Sequence, residues 1–345
     1  MKPITVLAMT LALGASLAAP RSAGAQPAAT GPGACPSVGE ISFVCGLTNV
    51  EDFLPVDRGR WLVGSSMKVG SAGLYLVDTA AKTAKTVALS IAAKPDPMYG
   101  SCAPPDLKGL STHGLDVVAR GGGMTTVYAI NHGGRESVEV FSLNAGKGSA
   151  EWVGCEVLPA GAIGNSIAVL SKGAFVVSKF LDAHDKESMQ HVMAGQINGA
   201  VYLWTPDKGF SEVPGTQLSG DNGLVASPDG RWLYVNAYGT REIYRVPLSG
   251  KGERSSVKVD FHPDNLRWAP DGKIFVTGQF LDPQVPAGRH GWATVRLDPR
   301  TMITTPVVKQ PGLAEFDDAT SAVQIGQTLW FGTFRGDRIA YRAAP

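Results

Sequence analysis

Charged residues are scarce in this chain. Lys, Arg, Asp and Glu make up only 18% of its 345 residues, and 31 basic side chains stand against 30 acidic ones. No run of Lys and Arg provides the positive surface that nucleic-acid binding or polybasic membrane attachment needs. We therefore expect a small or neutral ligand and no nucleic-acid partner.

Sequence signatures of several common enzyme classes are also absent. No Gly-x-Ser-x-Gly segment occurs, which argues against a Ser-His-Asp hydrolase. The run Gly121-Gly122-Gly123 is followed by no helical pattern, and this argues against dinucleotide or P-loop chemistry.

Cysteine is limited to four residues, and no two of them form a Cys-x-x-Cys pair typical of zinc sites. They are Cys35, Cys45, Cys102 and Cys155. Three disulfide pairings are open, and Cys35–Cys45 with Cys102–Cys155 is the most economical in loop closure. Free buried thiols are the alternative. Two disulfides would indicate an oxidising compartment.

Long apolar runs are lacking except at the N-terminus, where residues 1–25 have the pattern of a secretory signal. Lys2 precedes the largely apolar run Ile4 to Ala19, and Ala23-Gly24-Ala25 forms a small-x-small cleavage site before Gln26. The alternative, a retained transmembrane helix, would need about 20 apolar residues. We expect a periplasmic or secreted monomer without a membrane anchor, with residues 26–345 as a single domain.

Glycine and proline are abundant, with 42 and 23 residues, which argues against a helical bundle. Six segments share one plan, in which a polar residue and alternating apolar positions lead to a glycine near the ninth place and then to a β-rich run. They begin at Glu51, His113, Asn165, Asn222, Asp264 and Asp318. Turn sequences such as Ser227-Pro228-Asp229-Gly230 fit hairpins between the first two strands of each unit. The pattern predicts an all-β, six-bladed β-propeller.

The first strand of each propeller blade lines the central channel, so the polar residues that begin the six units should form one ring. Carboxylate and carboxamide oxygens are ligands that Ca²⁺ prefers, whereas Zn²⁺ would need His or Cys spacing that is absent. Asn265, directly after Asp264, adds another oxygen. We predict a central metal-binding channel that holds calcium as the cofactor.

Two histidines belong to this site in our interpretation. His113 lies on the ring and is a candidate general base, because the unperturbed pKa of histidine is near the working pH. His132 follows the predicted strand Thr126–Asn131, which pairs with the strand that begins at His113, and it is a candidate proton relay. The remaining histidines lie in loop-like segments and receive no catalytic role: His184, His191, His262 and His290.

On these residues the sequence resembles the paraoxonase/arylesterase family, and more distantly the SMP-30/gluconolactonase and strictosidine synthase-like propellers. The resemblance spans nearly the whole mature chain in order. Its motifs are residues 50–55, 112–115, 128–133, 137–141, 164–167, 221–224, 227–229 and 263–266.

The resemblance implies a six-bladed propeller with calcium in its tunnel and hydrolysis of lactones and aryl esters. Glu51, Asn165, Asn222, Asp264 and Asn265 match the catalytic calcium ligands, and His113 and His132 match a catalytic histidine dyad. The segment from Phe180 to Gly195 takes the place of a family loop and helix that roofs the active site.

Three departures from the family pattern stand out. Asp52 matches a ligand of a second, structural calcium, but Ser166 replaces an aspartate of that site, which leaves the second ion open. No cysteine follows Cys155, so the family's disulfide between the two chain ends cannot form. The stretch from Gln26 to Ala34 is rich in proline, glycine and alanine and has no amphipathic helix for lipid docking.

Three functions remain open at this point. The first is a calcium-dependent hydrolase of lactones or aryl esters. The second is a sugar-lactone hydrolase of the gluconolactonase type, although Phe180, Leu181, Phe261 and Phe280 near the expected channel mouth favour apolar substrates. The third is a non-catalytic, calcium-stabilised binding protein, since one fold hosts many functions.

Overall fold

A computed structural model of the protein describes residues 33–100, 102–281 and 290–345. The predicted signal segment and its cleavage site lie outside the described residues. Almost all regular structure in the described ranges is β-strand. None of the helices in those ranges has the length and apolar character needed to cross a bilayer.

The strands form six sheets around a central tunnel, which confirms the predicted six-bladed propeller. The described chain starts with the antiparallel strands β1 (Gly33–Val38) and β2 (Ile41–Cys45). Blade 1 then consists, from the tunnel outward, of β3 (Phe53–Val56), β4 (Trp61–Ser65), β5 (Leu74–Asp78) and β6 (Thr83–Thr86). After β7 (Ala88–Ile91), blade 2 follows with β8 (Thr112–Gly121), β9 (Met124–Asn131), β10 (Ser137–Asn144) and β11 (Ser149–Val157).

The second half of the chain repeats this plan. Blade 3 contains β12 (Ala162–Val169), β13 (Phe175–Asp182), β14 (Ala200–Thr205) and β15 (Gly209–Glu212), with the short helix α1 (Ser188–Met193) between β13 and β14. Blade 4 contains β16 (Asp221–Ala226), β17 (Trp232–Ala237), β18 (Glu242–Pro247) and β19 (Ser255–Lys258). Blade 5 contains β20 (His262–Trp268), β21 (Ile274–Leu281), β22 (His290–Leu297) and β23 (Thr304–Gln310). Blade 6 contains β24 (Ala319–Ile325), β25 (Thr328–Thr333) and β26 (Arg338–Ala343).

Both ends of the described chain meet in blade 6 and close the ring. Strand β2 pairs antiparallel with β26, with Phe43 opposite Ala340, and β1 adds a fifth, outermost strand. A disulfide between Cys35 and Cys45 links β1 to β2. Backbone hydrogen bonds between β2 and β26 therefore close the propeller. No disulfide can do so, because no cysteine follows Cys155.

Blade 2 also has a fifth strand, because β7 leaves blade 1 and runs parallel to β11. The segment after β7 is held to the blade by the Tyr99 hydroxyl, 2.8 Å from the Tyr128 hydroxyl, and by the Cys102–Cys155 disulfide. The predicted cysteine pairing is thus confirmed, and no free cysteine occurs in the described ranges. Two disulfides fit an oxidising compartment, as expected for a secreted or periplasmic protein.

Apolar side chains fill the spaces between neighbouring blades. For example, Tyr128 of blade 2 contacts Phe175 of blade 3 with ring centroids 6.3 Å apart, and Trp292 of blade 5 contacts Phe331 of blade 6 at 4.5 Å. Each blade buries the alternating residues of its strands against the next blade, so the core forms a belt around the tunnel.

Two glycines allow the innermost strands to approach each other closely. A Cβ atom on Gly114 would lie 2.2 Å from the Asn165 carbonyl oxygen, and one on Gly223 would lie 2.2 Å from the Asp264 carbonyl oxygen. Both glycines follow a polar residue that the sequence places on the ring. Tight backbone contact between blades therefore fixes the positions of the ring residues.

We predict that Gly223→Ala destabilises the protein, because the added methyl group meets rigid backbone. The free energy of unfolding should fall by about 1–3 kcal/mol, the usual cost of overpacking. Gly146→Ala is the matched control, since a Cβ atom there meets only ordinary contacts at 3.5 Å. Urea denaturation of both variants tests this, and equal stability of the two would contradict it.

Candidate functional site

The predicted ring residues lie at one end of the tunnel, which we call the upper end, where the innermost strands begin. Each belongs to the first strand of a different blade, except that Glu51 lies two residues before β3 and that Asp264 and Asn265 are neighbours on β20. All are buried, with at most 8% of any residue exposed: Glu51, His113, Asn165, Asn222, Asp264 and Asn265.

Four oxygen atoms of this set are buried without a hydrogen-bond partner. They are Oε2 of Glu51 and the Oδ1 atoms of Asn165, Asn222 and Asn265. Leaving buried polar atoms unpaired costs about 1–3 kcal/mol each, so an unpaired group in a native protein calls for an explanation. Carboxylate and carboxamide oxygens suit a hard cation such as Ca²⁺, and the residues present fit such an ion. Within the described ranges, no metal-binding group of three or more His, Cys, Asp and Glu occurs, so a cation here would depend on the asparagines.

Hydrogen bonds join several of these residues. The Asn265 carboxamide donates to Oε1 of Glu51, and Oε2 of Glu51 lies 3.5 Å from Nε2 of His113. The Asn165 carboxamide nitrogen is also 3.5 Å from Nε2 of His113. Asp264 accepts a hydrogen bond of 2.7 Å from the Gln279 carboxamide. The structure thus places the predicted residues around one short stretch of the tunnel, while their role as metal ligands stays a prediction.

The ionised forms of the two carboxylates, Glu51 and Asp264, are disfavoured by the protein when no cation is bound. Burial raises the pKa of Glu51 well above its ordinary value, and the charge of Asp52 raises it further. Burial likewise raises the pKa of Asp264, with the charge of Glu51 as the next cause. A cation among these groups would reverse that effect, because it favours the ionised forms.

A chain of three side chains leads away from the tunnel. Nδ1 of His113 lies 2.9 Å from Nε2 of His132, and Nδ1 of His132 lies 2.8 Å from Oε1 of Glu136. Burial lowers the pKa of His113 to about 4. The predicted contact between the two histidines is therefore present in the structure. Glu136 was not predicted as a site residue. The only hint in the sequence is that this carboxylate follows His132 by four residues.

Asp318 and the remaining histidines lie outside this hydrogen-bonded group. The Asp318 carboxylate contacts His290 and Arg335, at the start of blade 6 beside the ring. The description of the remaining histidines as loop residues is wrong for three of them, because His191 lies in α1 while His262 and His290 begin β20 and β22.

An aromatic wall lies beside the upper end of the tunnel. Phe180 packs edge-on against Tyr238 at 5.6 Å, and Tyr238 stacks on His262 at 4.9 Å. The Tyr238 hydroxyl donates to Gln279, the residue that binds Asp264. By contrast, Phe261 is fully buried in the core. The prediction that it lies at the channel mouth is therefore wrong. Gln279 and Tyr238 carried no recognisable motif in the sequence.

Asp52, which the resemblance linked to a second calcium, has a different partner. Its carboxylate is bound by the Arg267 guanidinium and accepts the Leu115 N–H at 2.7 Å and the Phe53 N–H at 2.9 Å. Ser166 is buried nearby on β12, and no partner is found for its hydroxyl oxygen. The donor set around Asp52 therefore already contains a cationic side chain, and a second metal ion does not fit beside it.

We predict that Asp264→Asn stabilises the protein in a chelator at pH 8, because a neutral carboxamide removes a buried charge beside Glu51. Each unit of pKa elevation corresponds to about 1.4 kcal/mol. Asp260→Asn is the control, since it affects only an exposed ion pair with Lys309. Melting temperatures in excess EDTA test the prediction. A lower melting temperature for Asp264→Asn than for the wild type would contradict it.

Comparison with known proteins agrees with the fold. Residues 117–279 match the family model described as "SMP-30/Gluconolactonase/LRE-like region". No curated protein sequence matches the chain significantly. The part of the chain that matches includes His132, Asn165, Asn222, Asp264 and Asn265 and excludes Glu51 and His113.

Solved structures with the same architecture share little sequence with this chain. A luciferin-regenerating enzyme has 11% identity and a TM-score of 0.57, covering 88% of this chain and 95% of its own. A gluconolactonase from Xanthomonas campestris has 18% identity and a TM-score of 0.55, covering 93% and 99%. A putative oxidoreductase (glucose dehydrogenase) from Thermus thermophilus has 15% identity and a TM-score of 0.51, covering 87% and 98%. At these identities the likeness concerns the fold alone, and the sequence match to the SMP-30/gluconolactonase/LRE-like region is limited to residues 117–279.

Proposed function

We propose that this protein is a calcium-dependent hydrolase of lactones or aryl esters. The observation that carries the proposal is the group of four buried, unpaired oxygens beside a hydrogen-bonded His–His–Glu chain. Such a site combines a place for a hard cation with a route for a proton. The match to the SMP-30/gluconolactonase/LRE-like region supports the same class of chemistry.

Five residues would hold the ion: Glu51, Asn165, Asn222, Asp264 and Asn265. When bound, calcium supplies Lewis-acid polarisation of a carbonyl group and stabilisation of the negative charge that develops on its oxygen. The hydrogen bond from Asn265 to Glu51, and the one from Gln279 to Asp264, orient the two carboxylates toward this task.

The hydrogen-bond chain supports Nε2 of His113 as the base. The Glu136 carboxylate accepts a hydrogen bond from Nδ1–H of His132, which leaves Nε2 of His132 as an acceptor. His113 then donates from Nδ1, and its Nε2 is the unprotonated nitrogen that faces Glu51 and the Asn165 carboxamide. When Nε2 of His113 takes a proton from water, the Nδ1 proton moves to His132, and Glu136 stabilises the cation.

The choice of substrate rests on the aromatic wall formed by Phe180, Tyr238 and His262. An apolar ring or acyl chain gains contact area against such a surface. We therefore propose aryl esters and acyl lactones. A sugar lactone is the second candidate, because the region that matches bears the gluconolactonase description.

Activity should depend on calcium. Purified protein from residue 26 onward should hydrolyse phenyl acetate or a γ-lactone, lose this activity in EDTA and regain it with added calcium. Comparing an acyl lactone with a sugar lactone ranks the two candidate substrates. Full activity in the chelator would contradict the mechanism, and calcium-induced stabilisation without any hydrolysis would favour a binding protein.

His113→Gln should lower kcat/KM by roughly 10²–10⁴-fold, the usual contribution of a general base. Calcium affinity should change little, because His113 is not among the proposed ligands. Arg231→Gln is the control, since the Arg231 side chain is 77% exposed and lies outside the proposed site. Steady-state kinetics and calcium titration measure both quantities. Unchanged kcat in His113→Gln would exclude this base.

Glu136→Gln should reduce kcat less than His113→Gln does, because Glu136 orients His132 and touches no reacting atom. A loss of about 10–100-fold is typical for groups that orient a functional side chain. KM should stay near the wild-type value. A variant that loses as much activity as His113→Gln would show that Glu136 does more than orient its partner.

A further inference from the structure

The buried ion pair between Arg267 and Asp52 lies in the tunnel beyond the proposed calcium site. Only 5% of the Arg267 side chain and none of the Asp52 side chain is exposed. Asp52 directly follows Glu51, so the pair lies next to the ring along the tunnel. A cavity of about 890 Å³ opens at the lower end, and Arg267 forms part of its lining. The guanidinium therefore separates the upper site from the lower cavity.

Oxygen atoms from three blades contact this guanidinium. It donates to both carboxylate oxygens of Asp52 from blade 1 and to the Leu115 carbonyl oxygen, 3.1 Å away, from blade 2. It also donates to the Leu266 carbonyl oxygen, 2.9 Å away, within blade 5. Two carboxylate oxygens and two carbonyl oxygens form a typical ligand set for a small hard cation.

We propose that the Arg267 guanidinium is an internal cation that takes the place of a metal ion in this part of the tunnel. Because the charge is part of the chain, blades 1, 2 and 5 are joined at the axis whether or not free metal is present. A second positive ion beside Arg267 would meet a like charge in a buried setting, which is unfavourable. The only ion the tunnel takes is then the one at the upper site.

The expectation that each chain binds one calcium ion at the upper site rests on the proposed function. The role of Arg267 as an internal cation does not depend on it. Removal of the Arg267 side chain should leave a vacant cradle of four oxygens with a net negative charge. Such a cradle should accept either a small guanidinium compound or a divalent cation. A side chain that fills the space without charge should accept neither.

The experiment compares Arg267→Ala with Arg267→Met. Both variants lose the charge, but only the alanine variant leaves space. Arg60→Ala is a control for the loss of an exposed arginine, because the Arg60 side chain is 55% exposed. Melting temperatures are measured with millimolar ethylguanidinium chloride, with calcium chloride and with neither.

Arg267→Ala should melt several degrees below the wild type, and each additive should restore part of the loss. The additives should raise the melting temperature of Arg267→Met, Arg60→Ala and the wild type by less. If Arg267→Ala does not fold in buffer, its refolding yield with and without ethylguanidinium gives the same comparison. Equal responses of the alanine and methionine variants would overturn the proposal.

Calcium stoichiometry separates this proposal from the proposed function. Native mass spectrometry should find one more calcium bound to Arg267→Ala than to Arg267→Met. If the methionine variant and the wild type bind none while the alanine variant binds one, the internal-cation proposal stands and the calcium-dependent function fails. An equal count in both variants, together with no rescue by ethylguanidinium, would refute the internal cation.

Discussion

Unpaired oxygens in a closed tunnel are the constraint on which the rest of this structure depends. Four of the six blades bring the carboxylate and carboxamide groups of Glu51, Asn165, Asn222 and Asn265 into one buried space, and four of their oxygens lack a donor. Burying such atoms is costly unless a positive group joins them. The absence of a side chain at Gly114 and Gly223 lets the strands, and hence the oxygens, come close together. The packing of the propeller thus leaves buried oxygens that a bound cation would stabilise.

The tunnel handles buried negative charge in two ways along its length. In the upper part, burial raises the pKa of both Glu51 and Asp264, and the charge of Glu51 raises the pKa of Asp264 further, so two ionised carboxylates are unfavourable here without a cation. One residue further on, Asp52 is neutralised by Arg267, which the chain itself provides. A site with an exchangeable charge can take part in chemistry, whereas a site with a covalently attached charge is suited to holding blades together. The His113–His132–Glu136 chain leaves the tunnel only at the upper site, where the proposed reaction occurs.

Much of the fold was accessible from the sequence, because each blade repeats a polar residue, alternating apolar positions and a turn glycine. The cysteine pairing followed from loop length. Closure of blade 6 by β1 and β2, and the parallel addition of β7 to blade 2, could not be predicted, since they are non-local pairings without a turn motif. In the site, ring residues were found through the repeat, and Asn265 through its place after Asp264. Arg267, Gln279 and Tyr238 were missed because their roles arise from three-dimensional neighbours and not from a spacing along the chain.

The central claim is that the buried oxygens of the upper tunnel bind calcium. A crystal structure of the protein grown with calcium tests it most directly. The account predicts one ion at about 2.3–2.6 Å from oxygens of Glu51, Asn165, Asn222, Asp264 and Asn265, with Arg267 still bound to Asp52. A structure at saturating calcium in which these oxygens contact only water, or in which the ion lies elsewhere, would contradict the account.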